Sequence, residues 1–385
     1  MFDMKVALKP YPTRICLSQP HLSGKELLKV QQAFETNRLS TVGPNLDALE
    51  GRCHKEWGVN AVALASGTAA IHLGLKALGV GPGDQVVVST LTSSASANPI
   101  LYLGAQPVFI DSEKTSWNLD ANLLDDFLKK RARFNKLPKA VVVVHALGQP
   151  ANLKSILDLC RIYELPVLED AAEAMGTLYD GRQVGTFADL GAFSFDANKI
   201  ITASSGGLLV GHNHAYLDQV RHWSALAMDP DPGNNHWHTQ LGYSYQFNNL
   251  LAGIALAQLD VLETRVAQRI HVFERYVQGF KNIPALSPMP AAPWGRHTRW
   301  LSCFEISPKT RHTSGSLSQK LLHYNIESRP VWKPLHTQPV FIAFENVGGA
   351  VAEHINRHAI CLPSSSNLSP EQQDYVIECV KAELS

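Results

Sequence analysis

Seven short apolar runs punctuate the first two thirds of the chain, at 61–65, 85–90, 107–111, 140–145, 166–170, 192–195 and 207–210. Helical patterns at 68–78, 119–133 and 152–163 lie between many of them. This alternation predicts an α/β fold, with a mainly parallel seven-stranded sheet covered by helices on both faces. The runs are apolar residue after residue, as strands buried on both sides should be. In such sheets functional side chains gather just past the carboxyl ends of the strands.

From 248 to 280, Leu251, Ala255, Leu259, Leu262, Val266, Ile270, Phe273 and Val277 recur at steps of three and four. They predict one apolar stripe on a long helix. Pro284, Pro288, Pro290 and Pro293 then break the pattern. The resulting division is a large domain at 1–247 with an N-terminal arm, a connecting helix at 248–284 and a small C-terminal α/β domain at 285–385. In the last part a strand is expected near 299–306, a helix near 317–324 and a final helix after Ser369-Pro370-Glu371-Gln372. That tetrad joins an N-cap serine, a proline at the first helical position and a capping-box glutamine.

Lys plus Arg equals Asp plus Glu at 34 each. The balance argues against nucleic acid or an anionic membrane as the main partner, since both call for a basic surface. The N-terminal MFDMKVALKPYP has no long apolar run, no stretch has the length of a membrane span, and the expected location is cytoplasmic. Six scattered cysteines form no CxxC pair and read as buried free thiols. His236-Trp237-His238 and His212/His214 lack a metal-binding frame, so no metal is expected.

Three segments could carry chemistry. Ser66-Gly67-Thr68 stands between a strand and a helix, where unpaired amides and the helix dipole stabilise a phosphate. The same residues are also simply good caps. Glu169-Asp170-Ala171-Ala172-Glu173 ends a buried strand, where carboxylates are costly without a partner. A metal, a following cap or a pyridinium N–H⁺ could each be that partner. Lys199, beyond the strand ending in Ser194, could form a Schiff base or be a solvated surface charge. All three sit at strand ends of one predicted sheet. Pyridoxal phosphate (PLP) needs a phosphate cup, a ring-nitrogen acid and an amine together.

At these residues the chain resembles the DegT/DnrJ/StrS family of PLP-dependent nucleotide-sugar aminotransferases, which has the type I aminotransferase fold. The matching segments include GPNLDALE, ASGTAAIHLGLKALGVGPGDQVV, LPVLEDAAEAMGTLYDGRQVGTF, FSFDANKI, SGGLLV and LGYSYQFNN. SWNLD and ESRPVWKPLHTQPVF look like the EpsN/PglE-like branch, which aminates UDP-4-keto-6-deoxy-N-acetylhexosamine sugars. The resemblance implies that Lys199 binds PLP covalently and later moves the proton, and that Asp170 pairs with the ring nitrogen. Glu173 falls beside the ring and its phenolic oxygen. Gly67, Thr68 and Ser194 fall around the phosphate, and Lys333 and His336 near the diphosphate or sugar. It further implies an amino-acid donor such as glutamate and a homodimer with shared active sites. Lys199 stands where the family's dehydratases have histidine.

Departures gather at the cofactor. Ser93 occupies the place of an aromatic residue that stacks on the PLP ring, a contact contributing about 1 kcal/mol. Gly242-Tyr243-Ser244-Tyr245-Gln246 replaces GYNYR, Leu147 replaces a common tyrosine, and Ser205 replaces a glycine. They motivate an alternative, a non-catalytic or regulatory homologue with a weakened phosphate clamp. Lys199 and Asp170 favour the enzyme.

Overall fold

The computed structural model describes residues 8–229 and 237–384, so His236 lies outside the described residues. Seven of the strands of the main sheet come from the first two thirds of the chain: β1 Asn60–Leu64, β2 Gln85–Ser89, β3 Gln106–Ile110, β4 Ala140–Val144, β5 Val167–Asp170, β6 Leu190–Ser194 and β7 Gly207–Gly211. Their spatial order is β1-β7-β6-β5-β4-β2-β3. Only β7 runs against its neighbours, pairing antiparallel with both β1 and β6. Val86, Val87, Val88, Val141, Val142 and Leu168 are fully enclosed. Their enclosure explains why these strands are apolar without alternation.

The expected count of seven is one short. An eighth strand, the two residues Asn346–Val347, pairs in parallel with β3 at the sheet edge. It comes from the C-terminal region and carries too few residues for a periodic pattern. The single helix expected across 248–280 is also two, Asn249–Leu259 and Leu262–Phe280. Val261 leaves helical geometry at φ −113° and ψ 9°. Beside it the Asp260 carboxylate meets the Arg52 guanidinium at 2.6 Å. The apolar stripe carries across the break because Leu259, Leu262 and Val266 are all buried.

A second sheet, of four antiparallel strands, orders Leu286–Pro288, Ser302–Ile306, Ala359–Leu362 and Arg329–Pro330. Its core joins Phe304, Ile306, Leu317, Leu321, Ile360 and Val376 to Ile15 of the N-terminal stretch. The final helix, Pro370–Leu384, starts on the expected reciprocal cap. There the Gln372 N–H donates to Ser369 Oγ, and the Ser369 N–H to Gln372 Oε1, both at 3.2 Å. Val331, Leu335 and Phe341 pack into the core of the large sheet. The 331–341 segment therefore lies against the carboxyl end of β2, where the Leu335 N–H donates to Thr90 O at 2.9 Å. No helix among the described residues is long and apolar enough to cross a membrane.

Candidate active site

The three segments singled out in the sequence meet at one cavity of about 320 Å³. Gly67, Thr68, Asp170, Glu173, Ser194 and Lys199 all line it, and so does Ser93. Each strand delivers its residue from its carboxyl end: β1 leads to Ser66, β5 ends in Asp170 and β6 in Ser194.

The turn after β1 opens the helix Gly67–Ala77, called α1 here, and Ser66 caps it by accepting the Ala69 N–H at 3.0 Å. The capping and anion-site readings of this tripeptide are therefore compatible. Gly67 is required by close approach, since a Cβ there would stand 2.9 Å from Ser194 Cβ and 3.3 Å from Phe193 O. With no side chain at this position, the start of α1 sits directly on the end of β6. An anion in the cavity then faces a helix N-terminus.

Asp170 is buried, and both of its oxygens are engaged from the protein side. Oδ1 accepts the Ala172 N–H at 3.1 Å, and Oδ2 accepts the Ser96 hydroxyl at 2.6 Å. Lys199 lies in the turn after β6, its N–H donating to Asp196 O at 3.0 Å. Its Nζ stands 4.5 Å from the centroid of the Trp300 ring. That indole is itself held by an N–H bond to Asn198 O at 2.8 Å. The amine rests on an aromatic face within a partly enclosed site, the environment a reactive lysine needs.

Glu173 is buried and accepts the Leu147 N–H at 2.8 Å. Burial pushes its carboxyl above the usual carboxylate value, against the opposing pull of Lys199 and the Leu147 N–H. Glu169 behaves oppositely. Burial alone would raise it, but the bond from His145 and the N–H groups of Gly185 and Ala188 bring it below the usual value. Glu169 points away from the cavity and ties the 185–188 loop to β5.

Lys333 and His336 do not line the cavity. Lys333 is exposed. The His336 ring lies 2.7 Å from Thr90 Oγ1 through Nδ1 and 3.2 Å from Glu353 Oε1 through Nε2. The member of that segment that reaches the cavity is Trp332, which the sequence reading passed over. Thr92 and Ser96 were missed too; they lie in the serine-rich stretch TSSAS, which gives no periodic signal. Ser205 fits its place, since its φ is not left-handed and its hydroxyl donates to Ala65 O at 2.8 Å.

The profile of the DegT/DnrJ/EryC1/StrS aminotransferase family matches residues 20–381. The chain is 42% identical over 371 residues to EpsN of Bacillus subtilis (strain 168), described by name as a pyridoxal phosphate-dependent aminotransferase; the match covers 95% of this chain and 94% of EpsN. It is 32% identical over 363 residues to a GDP-perosamine synthase of Escherichia coli O157:H7, covering 94% and 96% of the two chains. The crystal structure of the aminotransferase TlmJ from Streptoalloteichus hindustanus superposes with a TM-score of 0.86 at 29% identity, over 96% of this chain and 99% of that one.

Proposed function

The chain belongs to the DegT/DnrJ/EryC1/StrS aminotransferase family, and on that footing we propose that it transfers an amino group from an amino acid such as glutamate to a keto group of a nucleotide-linked sugar. The proposed acceptor is of the UDP-4-keto-6-deoxy-N-acetylhexosamine type. The observation that carries the reading is that Lys199 and Asp170 face one cavity whose floor is the start of α1.

The residues present fit PLP. An amine, a buried carboxylate and a glycine turn at a helix N-terminus surround a space of about 320 Å³. Lys199 would hold the cofactor through Nζ and Asp170 would face its ring nitrogen. Gly67, Thr68 and Ser194 would surround the phosphate, with Ser93 and Glu173 along the ring. When bound, PLP supplies an electron sink for the pair left behind as the donor's α-proton departs. Lys199 Nζ, which lines the cavity, would be the group that moves the proton, as base and then acid. The Asp170 carboxylate, held by Ser96 and the Ala172 N–H, would favour a protonated ring nitrogen. Glu173, whose carboxyl burial raises above its usual value, lines the same cavity.

Lys333 is proposed to contact the diphosphate or sugar outside the cavity mouth, with His336 contributing the ring nitrogen it now shares with Glu353. A second copy of the chain is proposed to complete the site.

Two measurements test the reading. Purified protein with added PLP should develop a visible band that borohydride traps and that Lys199→Ala lacks. Keto sugars on UDP, GDP and dTDP should then be compared for glutamate-dependent turnover. Turnover only with a compound that carries no nucleotide would overturn the substrate assignment.

A further inference from the structure

We propose that Ser96 is a positioning residue that fixes the Asp170 carboxylate toward the cofactor's ring nitrogen, with Thr92 holding Ser96 in turn. The inference rests on the cofactor reading above. Ser96 donates its hydroxyl to Asp170 Oδ2 at 2.6 Å. Its Oγ also lies 2.8 Å from Thr92 Oγ1. A serine hydroxyl has one proton, and here it is committed to the carboxylate. Thr92 must therefore be the donor of the second bond, and the hydroxyls run one way, from Thr92 to Ser96 to Asp170.

All three side chains are buried, and Thr92, Ser96 and Asp170 all border the cavity. The terminal torsion of an aspartate is broad when nothing holds it. Here the Ala172 N–H holds one oxygen and the Ser96 hydroxyl the other, so the plane of the carboxylate is set before any ligand arrives. A hydroxyl donated to a carboxylate at this length is one of the stronger hydrogen bonds a protein makes. In a buried site, successive bonds of this kind strengthen each other.

The local fold explains why the stretch serves this purpose. Ser93 Oγ accepts the Ala95 N–H at 3.3 Å and caps the short 3₁₀ turn Ser94–Ser96. That turn brings Ser96 to Asp170, 74 residues away in sequence.

The test compares full-length wild type, S96A, S96T and T92V by titrating each with PLP and following the visible band across pH. S96A should bind PLP about tenfold more weakly, and its band should respond to pH at a displaced position. S96T keeps the hydroxyl and should restore both properties. T92V removes only the outer hydroxyl and should weaken binding by about threefold. A purely structural contact would alter stability without moving the band. Should S96A fail to fold, T92V decides the matter alone. Wild-type affinity and wild-type pH response in the folded variants overturn this inference while leaving the cofactor reading intact. Absence of the band in wild type overturns both.

Discussion

Glu169→Gln should destabilise the protein by about 3–5 kcal/mol, although it changes neither shape nor volume. Glu169 is fully buried behind Asp170 and accepts four bonds. Oε1 takes the N–H groups of Phe187 at 2.7 Å and Ala188 at 2.9 Å. Oε2 takes the Gly185 N–H at 2.7 Å and faces His145 Nε2 at 2.9 Å. The Ala151 N–H donates to His145 Nδ1 at 3.1 Å, so Nε2 carries the proton and all four groups around Glu169 are donors. A glutamine offers one oxygen and one NH₂, so in either orientation two donors face an amide N–H instead of an acceptor. Two stranded buried donors cost about 1–3 kcal/mol each, which brackets the expected loss. Urea unfolding measures it as a lower midpoint at unchanged slope. Because the folded carboxyl is held below its ordinary value, its contribution is present above about pH 4.3 and is lost as pH falls through the folded value. The variant should lack that acid-side loss. An unfolding free energy within about 1 kcal/mol of wild type would show that the four bonds do not hold the 185–188 loop as described.

Three further outcomes are expected. Gly67→Ala should weaken PLP binding by at least about tenfold, because its Cβ would meet Ser194 Cβ at 2.9 Å and force the turn off the end of β6; spectroscopic titration reads this directly. His72 is buried with no hydrogen-bond partner on either ring nitrogen among the described residues, and burial, with Lys76 nearby, lowers it to about 4. Wild type should therefore lose stability as pH falls from about 6.5 toward that value, since the unfolded chain binds the proton first. His72→Phe should flatten this dependence and unfold no earlier than wild type at neutral pH. Finally, a thiol reagent should modify the native protein at Cys16 alone, because the other five cysteines are buried, and should reach all six after unfolding.

The sheet was legible because its strands are enclosed on both faces, which makes them continuously apolar, and because helices separate them at the spacing a parallel sheet requires. What escaped the pattern is whatever depends on contacts between distant segments. Asn346–Val347 is a strand only because β3 offers an unpaired edge. Likewise, the break between Leu259 and Leu262 lies inside an unbroken apolar stripe. Periodicity measures which face is buried and is indifferent to a residue that leaves the helix while keeping that face.

The site divides along the same line. Gly67, Asp170 and Lys199 could be read because each chemical type stands at the end of a strand, and the topology brings those ends together whatever the side chains do. Lys333 and His336 were assigned by position in a segment, and a segment can enter a site through one residue while its neighbours face elsewhere. Here Trp332 faces the cavity, while His336 turns to Thr90 and Glu353. The loss of an aromatic residue at Ser93 also takes on a different meaning. Ser93 caps the turn that carries Ser96 to Asp170, and the cavity still has an aromatic wall in Trp332, supplied from 239 residues later in the chain. A substitution that looks like decay when judged position by position is therefore compatible with a site whose groups come from other parts of the chain.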